Sequence, residues 1–210
     1  MTQYDGFSYD SDREIYSAAR VRALESLLIE KSIISSETVN QVLNYFETEM
    51  GPFNGAKIVA KAWTDAEFKA KLLEDCNAAI SDIGLPVGMS GAEGEHMKVV
   101  ENTAEVHNIV ICTLCSCYPW PTLGLPPYWF KDPTFRARAA REPRAVLKEF
   151  GVELPEDTEI RLWDSSAQIR WFVLPQQPEG TKGMSEEKLA ALITPEAMMG
   201  VALVDSPTAA

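Results

Sequence analysis

The chain has 210 residues, enough to bury a sizeable core as one domain or two small ones, and its 46% hydrophobic and 24% charged residues are ordinary for a globular protein. A formal net charge of −12 with no basic stripe excludes a nucleic-acid partner, whose phosphates need Lys and Arg to neutralise them. No stretch approaches the ~20 apolar residues that span a bilayer, and Met1-Thr2-Gln3-Tyr4-Asp5-Gly6 lacks a basic region followed by an apolar run, so a cytoplasmic protein without a membrane partner is expected.

The first expected helix runs from about Asp12 to Lys31, where Ile15, Ala18, Val21, Leu24, Leu27 and Leu28 recur at helical spacing. A second follows Ser36 as N-cap, with Val39, Val42, Leu43, Phe46 and Met50 on one face, and Gly51-Pro52 ends it. These narrow apolar stripes fold over the rest of the chain or reach onto a partner. A third helix carries Ile58, Val59 and Ala62. Thr64 with Glu67 forms a capping box for a fourth, which buries Phe68, Leu72, Cys76 and Ile80. On that helix Cys76 is a small apolar packing residue rather than a ligand.

Gly84 to Gly94 reads as a loop. The β-branched runs 97–100 and 107–111 then read as strands. Pro119, Pro121, Pro126 and Pro127 argue against regular structure over the ten residues after the second strand. Tyr118, Trp120, Tyr128, Trp129 and Phe130 either wall a cavity there or pack beneath the loop. A helix over 135–150, interrupted near Pro143, carries Arg136, Arg138, Arg141 and Arg144, cations either solvated or aimed at nearby negative charge. Segments 160–164 and 168–174 read as a β-hairpin. Ser185 caps a helix to Ile193, Pro195 opens a short one, and 200–204 reads as a last strand. The expected class is α+β, a helical arm before a layered α-β-β-α unit.

Between the second strand and the prolines lies Cys112-Thr113-Leu114-Cys115-Ser116-Cys117, which holds three of the four cysteines. Clustered cysteines in a reducing compartment point to metal or redox chemistry. Thiolates this close converge on one centre only if the backbone folds into a tight claw, which brings the Ser116 and Cys117 amide nitrogens within reach as possible ligands. Zinc normally takes four side-chain ligands, yet Cys76 lies far upstream and His96 and His107 are the only histidines. Three thiolates and two deprotonated amides suit a trivalent transition ion instead. Five donors leave one position open, and an open position on a Lewis acid is a substrate site. No glycine elbow surrounds Ser116, and both histidines read as structural.

The claw, with Tyr118-Pro119-Trp120-Pro121, Leu123-Gly124-Leu125-Pro126-Pro127 and Arg136-Ala137-Arg138-Ala139-Ala140-Arg141-Glu142-Pro143-Arg144 after it, resembles the alpha subunit of nitrile hydratase over nearly the whole chain. The resemblance implies a low-spin non-haem iron(III) or non-corrin cobalt(III) held by Cys112, Cys115, Cys117 and the amides of Ser116 and Cys117. It also implies oxidation of Cys115 to sulfinate and of Cys117 to sulfenate. Cys115, Ser116 and Cys117 are then the catalytic residues. A small nitrile bound at the open position is attacked by water or by the Cys117 sulfenate and leaves as an amide. The implied partner is a beta subunit, in an αβ heterodimer or heterotetramer, whose arginines support the oxidised sulfurs. Residues 1–50 become an arm packed on that subunit and 51–210 the metal-binding catalytic domain.

Glu93 stands where the family usually has Gln before Gly-Glu, after a short insertion at 87–90. Glu93 and Trp120 are expected around the pocket or in support of the claw. Thr113, where iron members tend to have Ser, points toward cobalt, but one methyl group outside the coordination sphere leaves both metals open. The alternatives are the metal-bearing subunit of a thiocyanate hydrolase, which resembles this chain in the claw, and a non-catalytic assembly module whose claw holds zinc.

Overall fold

The computed structural model describes residues 11–87, 96–112 and 117–207, and the chain divides into two compact units between Glu49 and Met50. The first unit holds α1 (Ser11–Glu30) and α2 (Ser36–Thr48). Ser35, one residue before the expected cap, closes α2: its hydroxyl accepts the Thr38 amide at 3.0 Å. None of the described side chains of this unit is buried. Ile15, Val21, Ile33 and Leu43 stand 65%, 62%, 65% and 55% exposed.

The second unit begins with α3 (Pro52–Thr64), α4 (Ala66–Glu74) and α5 (Cys76–Asp82). Asp65, not Thr64, caps α4, accepting the Phe68 amide at 2.9 Å, because the Thr64 hydroxyl is spent on Ala60 and Lys61 carbonyls. That amide bond, more than the Lys61 ammonium, holds the Asp65 carboxyl below its usual range. Asp75 likewise caps α5 through Ala78, so the expected fourth helix is two helices.

Strands β1 (His96–Glu101) and β2 (Val106–Cys112) follow, then α6 (Trp120–Leu123), a 3₁₀ turn (Tyr128–Lys131), α7 (Pro133–Arg141) and α8 (Pro143–Glu149). The chain closes with β3 (Glu159–Ser165), β4 (Ile169–Leu174), α9 (Glu186–Ala190) and α10 (Pro195–Met199). The prolines do not abolish regular structure after β2. Pro121 sits in the first turn of α6, where its missing N–H costs no hydrogen bond, and Pro127 leads into the 3₁₀ turn.

The expected β3–β4 hairpin is corrected. β1 pairs in parallel with β4, Val99 opposite Phe172, and β2 pairs in parallel with β3, Cys112 opposite Ser165. Parallel pairing needs a long crossover, and α6 to α8 supply it for β2 and β3. The Ser165 hydroxyl takes the Trp171 amide and the Ser166 hydroxyl takes the Ile169 amide, so the link between β3 and β4 is bonded without a hairpin ladder. The two strands still touch: the Trp163 and Trp171 rings lie 4.4 Å apart. The expected strand over 200–204 is also absent. Gly200 leaves α10 at φ +80°, and its carbonyl is bonded to a side chain rather than to a strand.

Helices flank the paired strands: α4 and α5 lie on β1, α7 on β2, and α10 on β4 and β2. The core includes Ile58, Leu72, Ile80, Ile109, Phe135, Leu147, Phe172 and Met198, all fully buried. No helix among the described residues is long and apolar enough to cross a membrane.

Candidate metal centre

Strand β2 carries the site. From His107 to Cys112 every residue is buried, which suits a strand covered on both faces. Its start is tied by a polar network. Gly200 offers only a carbonyl, so His107 donates from Nε2 to that oxygen at 2.8 Å, leaving Nδ1 to accept from Asn102 at 3.3 Å. The Asn108 amide donates to Asn102 Oδ1 at 2.7 Å, and Trp163 Nε1 donates to Asn108 Oδ1 at 2.7 Å. Burial holds the His107 pKa below its ordinary value, against the pull of the Gly200 carbonyl, so the ring is neutral. This is a structural histidine, as the sequence suggested. It lies five residues up the strand from Cys112, roughly 16 Å at 3.3 Å per residue.

At the far end Cys112 is 2% and Cys117 1% exposed, and neither is in a disulfide. Cys115, Ser116 and Glu93 lie outside the described residues. Cys76 opens α5, buried, with its thiol pushed up to about 12, chiefly by desolvation, so it is protonated and packs as expected.

Of the four arginines after the loop, three are engaged away from the claw. Arg138 bonds Glu142 and Glu149, Arg141 bonds the Ala137 carbonyl, and Arg144 gathers the carbonyls of Leu154, Pro155, Glu156 and Thr158. Half-buried Arg136 donates from Nη1 to the carbonyl of Cys112 at 2.8 Å. Only its target was hidden in the sequence. A cation three residues past Pro133, beside the buried Phe135, was the available signal.

Of the five loop aromatics, Tyr118 and Trp129 both pack on other rings and line a cavity, and Phe130 packs only. Tyr118 packs edge-on to Phe130 at 5.0 Å, and Trp129 meets Phe135 at 4.8 Å and Phe150 at 5.1 Å. Tyr118 and Trp129 also line a cavity of about 190 Å³ with Leu123, Leu125, Pro127 and Met199. Trp120 is half-buried at the start of α6 and is not among its walls. The Tyr128 ring lies outside the described side chains. The Tyr118 and Thr122 hydroxyls are buried without a hydrogen-bond partner. Burial, then the Glu196 carboxylate, pushes the Tyr118 phenol up, so it remains a donor.

A strand that ends on a buried thiol, a second buried thiol five residues on and a proline-braced aromatic loop are the described parts of the candidate site. The family model for the nitrile hydratase alpha chain matches residues 15–202. The cobalt-containing nitrile hydratase alpha subunit of Pseudonocardia thermophila is 55% identical over 91% of this chain and 93% of its own. The solved Fe-type nitrile hydratase of Comamonas testosteroni Ni1, a double mutant, superposes with a TM-score of 0.81 at 42% identity, covering 93% of this chain and 94% of that one. A recombinant thiocyanate hydrolase with partially modified cobalt centres superposes with a TM-score of 0.77 at 37% identity, covering 95% and 93%. The chain therefore belongs to the nitrile hydratase alpha-chain family.

Proposed function

We propose that this chain carries the metal of a nitrile hydratase and works beside a beta subunit, as an αβ heterodimer or a heterotetramer. The sulfurs of Cys112, Cys115 and Cys117 and the amides of Ser116 and Cys117 would hold a low-spin iron(III) or cobalt(III), with Cys115 as sulfinate and Cys117 as sulfenate. The observation that carries this reading is the buried, unbridged thiol of Cys112 at the end of β2, with that of Cys117, also buried and unbridged, five residues on. The donor set fits the ion, since soft sulfur selects a transition metal. The Tyr118 and Thr122 hydroxyls are spare donors in the same loop for oxidised sulfur.

When bound, the ion supplies a Lewis acid that polarises the carbon of a nitrile. One water adds across the triple bond, its oxygen on carbon and both protons ending on nitrogen, and an amide leaves. The chain's own part is positioning and exclusion of water. β2 delivers Cys112, Arg136 holds its carbonyl, and Tyr118, Trp129, Phe130 and Phe135 pack edge-on against one another in the segment that follows the claw. Either water or the sulfenate oxygen of Cys117 attacks the nitrile carbon. Glu93 and Trp120 would support the claw from outside the metal's own ligand set.

The unit up to Glu49, with no buried described side chain, fits an arm whose apolar stripe is covered by the beta subunit. Turnover of acetonitrile to acetamide by the co-expressed pair, with thiocyanate as competing substrate, tests the function. Acetamide formation that needs both subunits and disappears in Cys117→Ala supports it. Thiocyanate consumption in place of acetonitrile hydration assigns the chain to the other enzyme.

A further inference from the structure

We propose that Arg136 is the positioning residue by which this chain holds its own cysteine claw in shape, ahead of any contribution from a partner. The inference rests on reading the claw as a metal centre. Arg136 Nη1 lies 2.8 Å from the Cys112 carbonyl, 24 residues away in sequence, so it links α7 to the first peptide of the claw. The Ser166 amide, next after the last β3 residue paired with β2, donates to the Ile169 carbonyl at 2.7 Å. Arg136 bonds the Cys112 carbonyl at this same end of the β2–β3 pairing.

Its platform is rigid. Asp132 caps α7 through the Thr134 amide at 2.8 Å, Pro133 pre-sets the first turn, and Phe135 and Ala139 are fully buried. The Phe135 ring is wedged between Trp129 and Phe150 at 4.8 and 5.9 Å. A guanidinium anchored this way delivers its charge with little further loss of side-chain freedom. It also suits the chemistry of the claw. One thiolate, a sulfinate, a sulfenate and two deprotonated amides outweigh a trivalent ion in charge, and a charge-assisted bond to the Cys112 peptide places a permanent cation beside that excess. Lysine, a single point donor on a flexible stem, does not reproduce the fork.

The test uses the co-expressed complex bearing Arg136→Gln, Arg136→Lys or Arg138→Gln. The last lies on the same helix and breaks an ion pair with Glu142 and Glu149, away from the claw. Metal per chain, the visible charge-transfer band, and kcat and KM for acetonitrile are measured on each. Arg136→Gln is expected to shift the band and to lose about 10–100-fold in metal affinity or kcat, the usual scale for contacts behind a metal ligand. Arg136→Lys should fall between it and wild type, and Arg138→Gln should keep the wild-type band. A wild-type band, metal content and kcat in Arg136→Gln overturns the proposal, as do equal losses in Arg136→Gln and Arg138→Gln. Should Arg136→Gln not accumulate, Arg136→Lys decides: wild-type spectrum and kcat in it overturn the role. Wild-type complex without iron or cobalt would instead defeat the underlying reading.

Discussion

Gly200→Ala is the sharpest perturbation the fold offers. Gly200 adopts φ +80°, and a Cβ added there would lie 1.8 Å from the Asn108 carbonyl oxygen and 3.1 Å from Ile109 Cα, both backbone atoms of β2. Neither can rotate away, so β2 or α10 must move by more than an ångström. Gly183 is the internal control, with φ +85° and nothing within 4 Å of its added Cβ. An alanine there meets only the left-handed penalty of about 1–2 kcal/mol, offset by about 0.4–1 kcal/mol from a stiffer unfolded chain. At Gly200 overpacking adds about 1–3 kcal/mol. Displacing the carbonyl that accepts from buried His107 adds about 1–3 kcal/mol more.

The expected difference between the two variants is therefore about 2–6 kcal/mol. For a chain of this size, at about 2–4 °C per kcal/mol, Gly200→Ala should melt roughly 4–24 °C below Gly183→Ala. The assay is thermal unfolding of the co-expressed complex followed by circular dichroism. Because β2 ends on Cys112, metal content should fall in Gly200→Ala and hold in Gly183→Ala. Melting temperatures within a degree of each other would refute the close approach of α10 to β2.

Burial holds the folded-state pKa of His107 below the unfolded ~6.5. Its neutral form contributes stability that is complete above that pH and is lost as pH falls through it, because the unfolded chain then binds more protons. Melting temperature from pH 7.5 to 5.5 should decline more steeply in wild type than in His107→Gln, and parallel slopes would contradict the buried neutral ring. Phe135→Ala empties a fully buried site between Trp129 and Phe150, so a loss of about 3–5 kcal/mol is expected in denaturant titration. A cost under ~1 kcal/mol would mean the cluster is not packed. Cys112→Ser should leave the complex without stoichiometric iron or cobalt by elemental analysis, whereas Cys76→Ser should keep the metal. Loss of metal in Cys76→Ser with the fold intact would return that thiol to the ligand set.

The sequence was most informative where local physics decides. The stripes of α1 and α2, the break before Pro143 and the end of β2 at the claw follow from periodicity and proline chemistry that tertiary contacts did not override. What it concealed was long-range competition. Segments 160–164 and 168–174 carry hairpin composition, yet the Ser165 and Ser166 hydroxyls bind the returning amides and free each strand for a parallel partner far away in sequence. Thr64 and Asp65 are both cap residues, and which one wins depends on whether α3 has already claimed the Thr64 hydroxyl. At the candidate site, cysteine spacing marks out the proposed claw, but four arginines within nine residues are equivalent on paper. Only the fold separates Arg136 on Cys112 from Arg144 on the 154–158 loop.

The most direct measurement is elemental analysis of the co-expressed complex together with its visible spectrum. One iron or cobalt per alpha chain, with a sulfur-to-metal charge-transfer band that acetonitrile perturbs, is the predicted result. A colourless complex containing zinc, or no stoichiometric metal in preparations that still hydrate acetonitrile, would contradict the account.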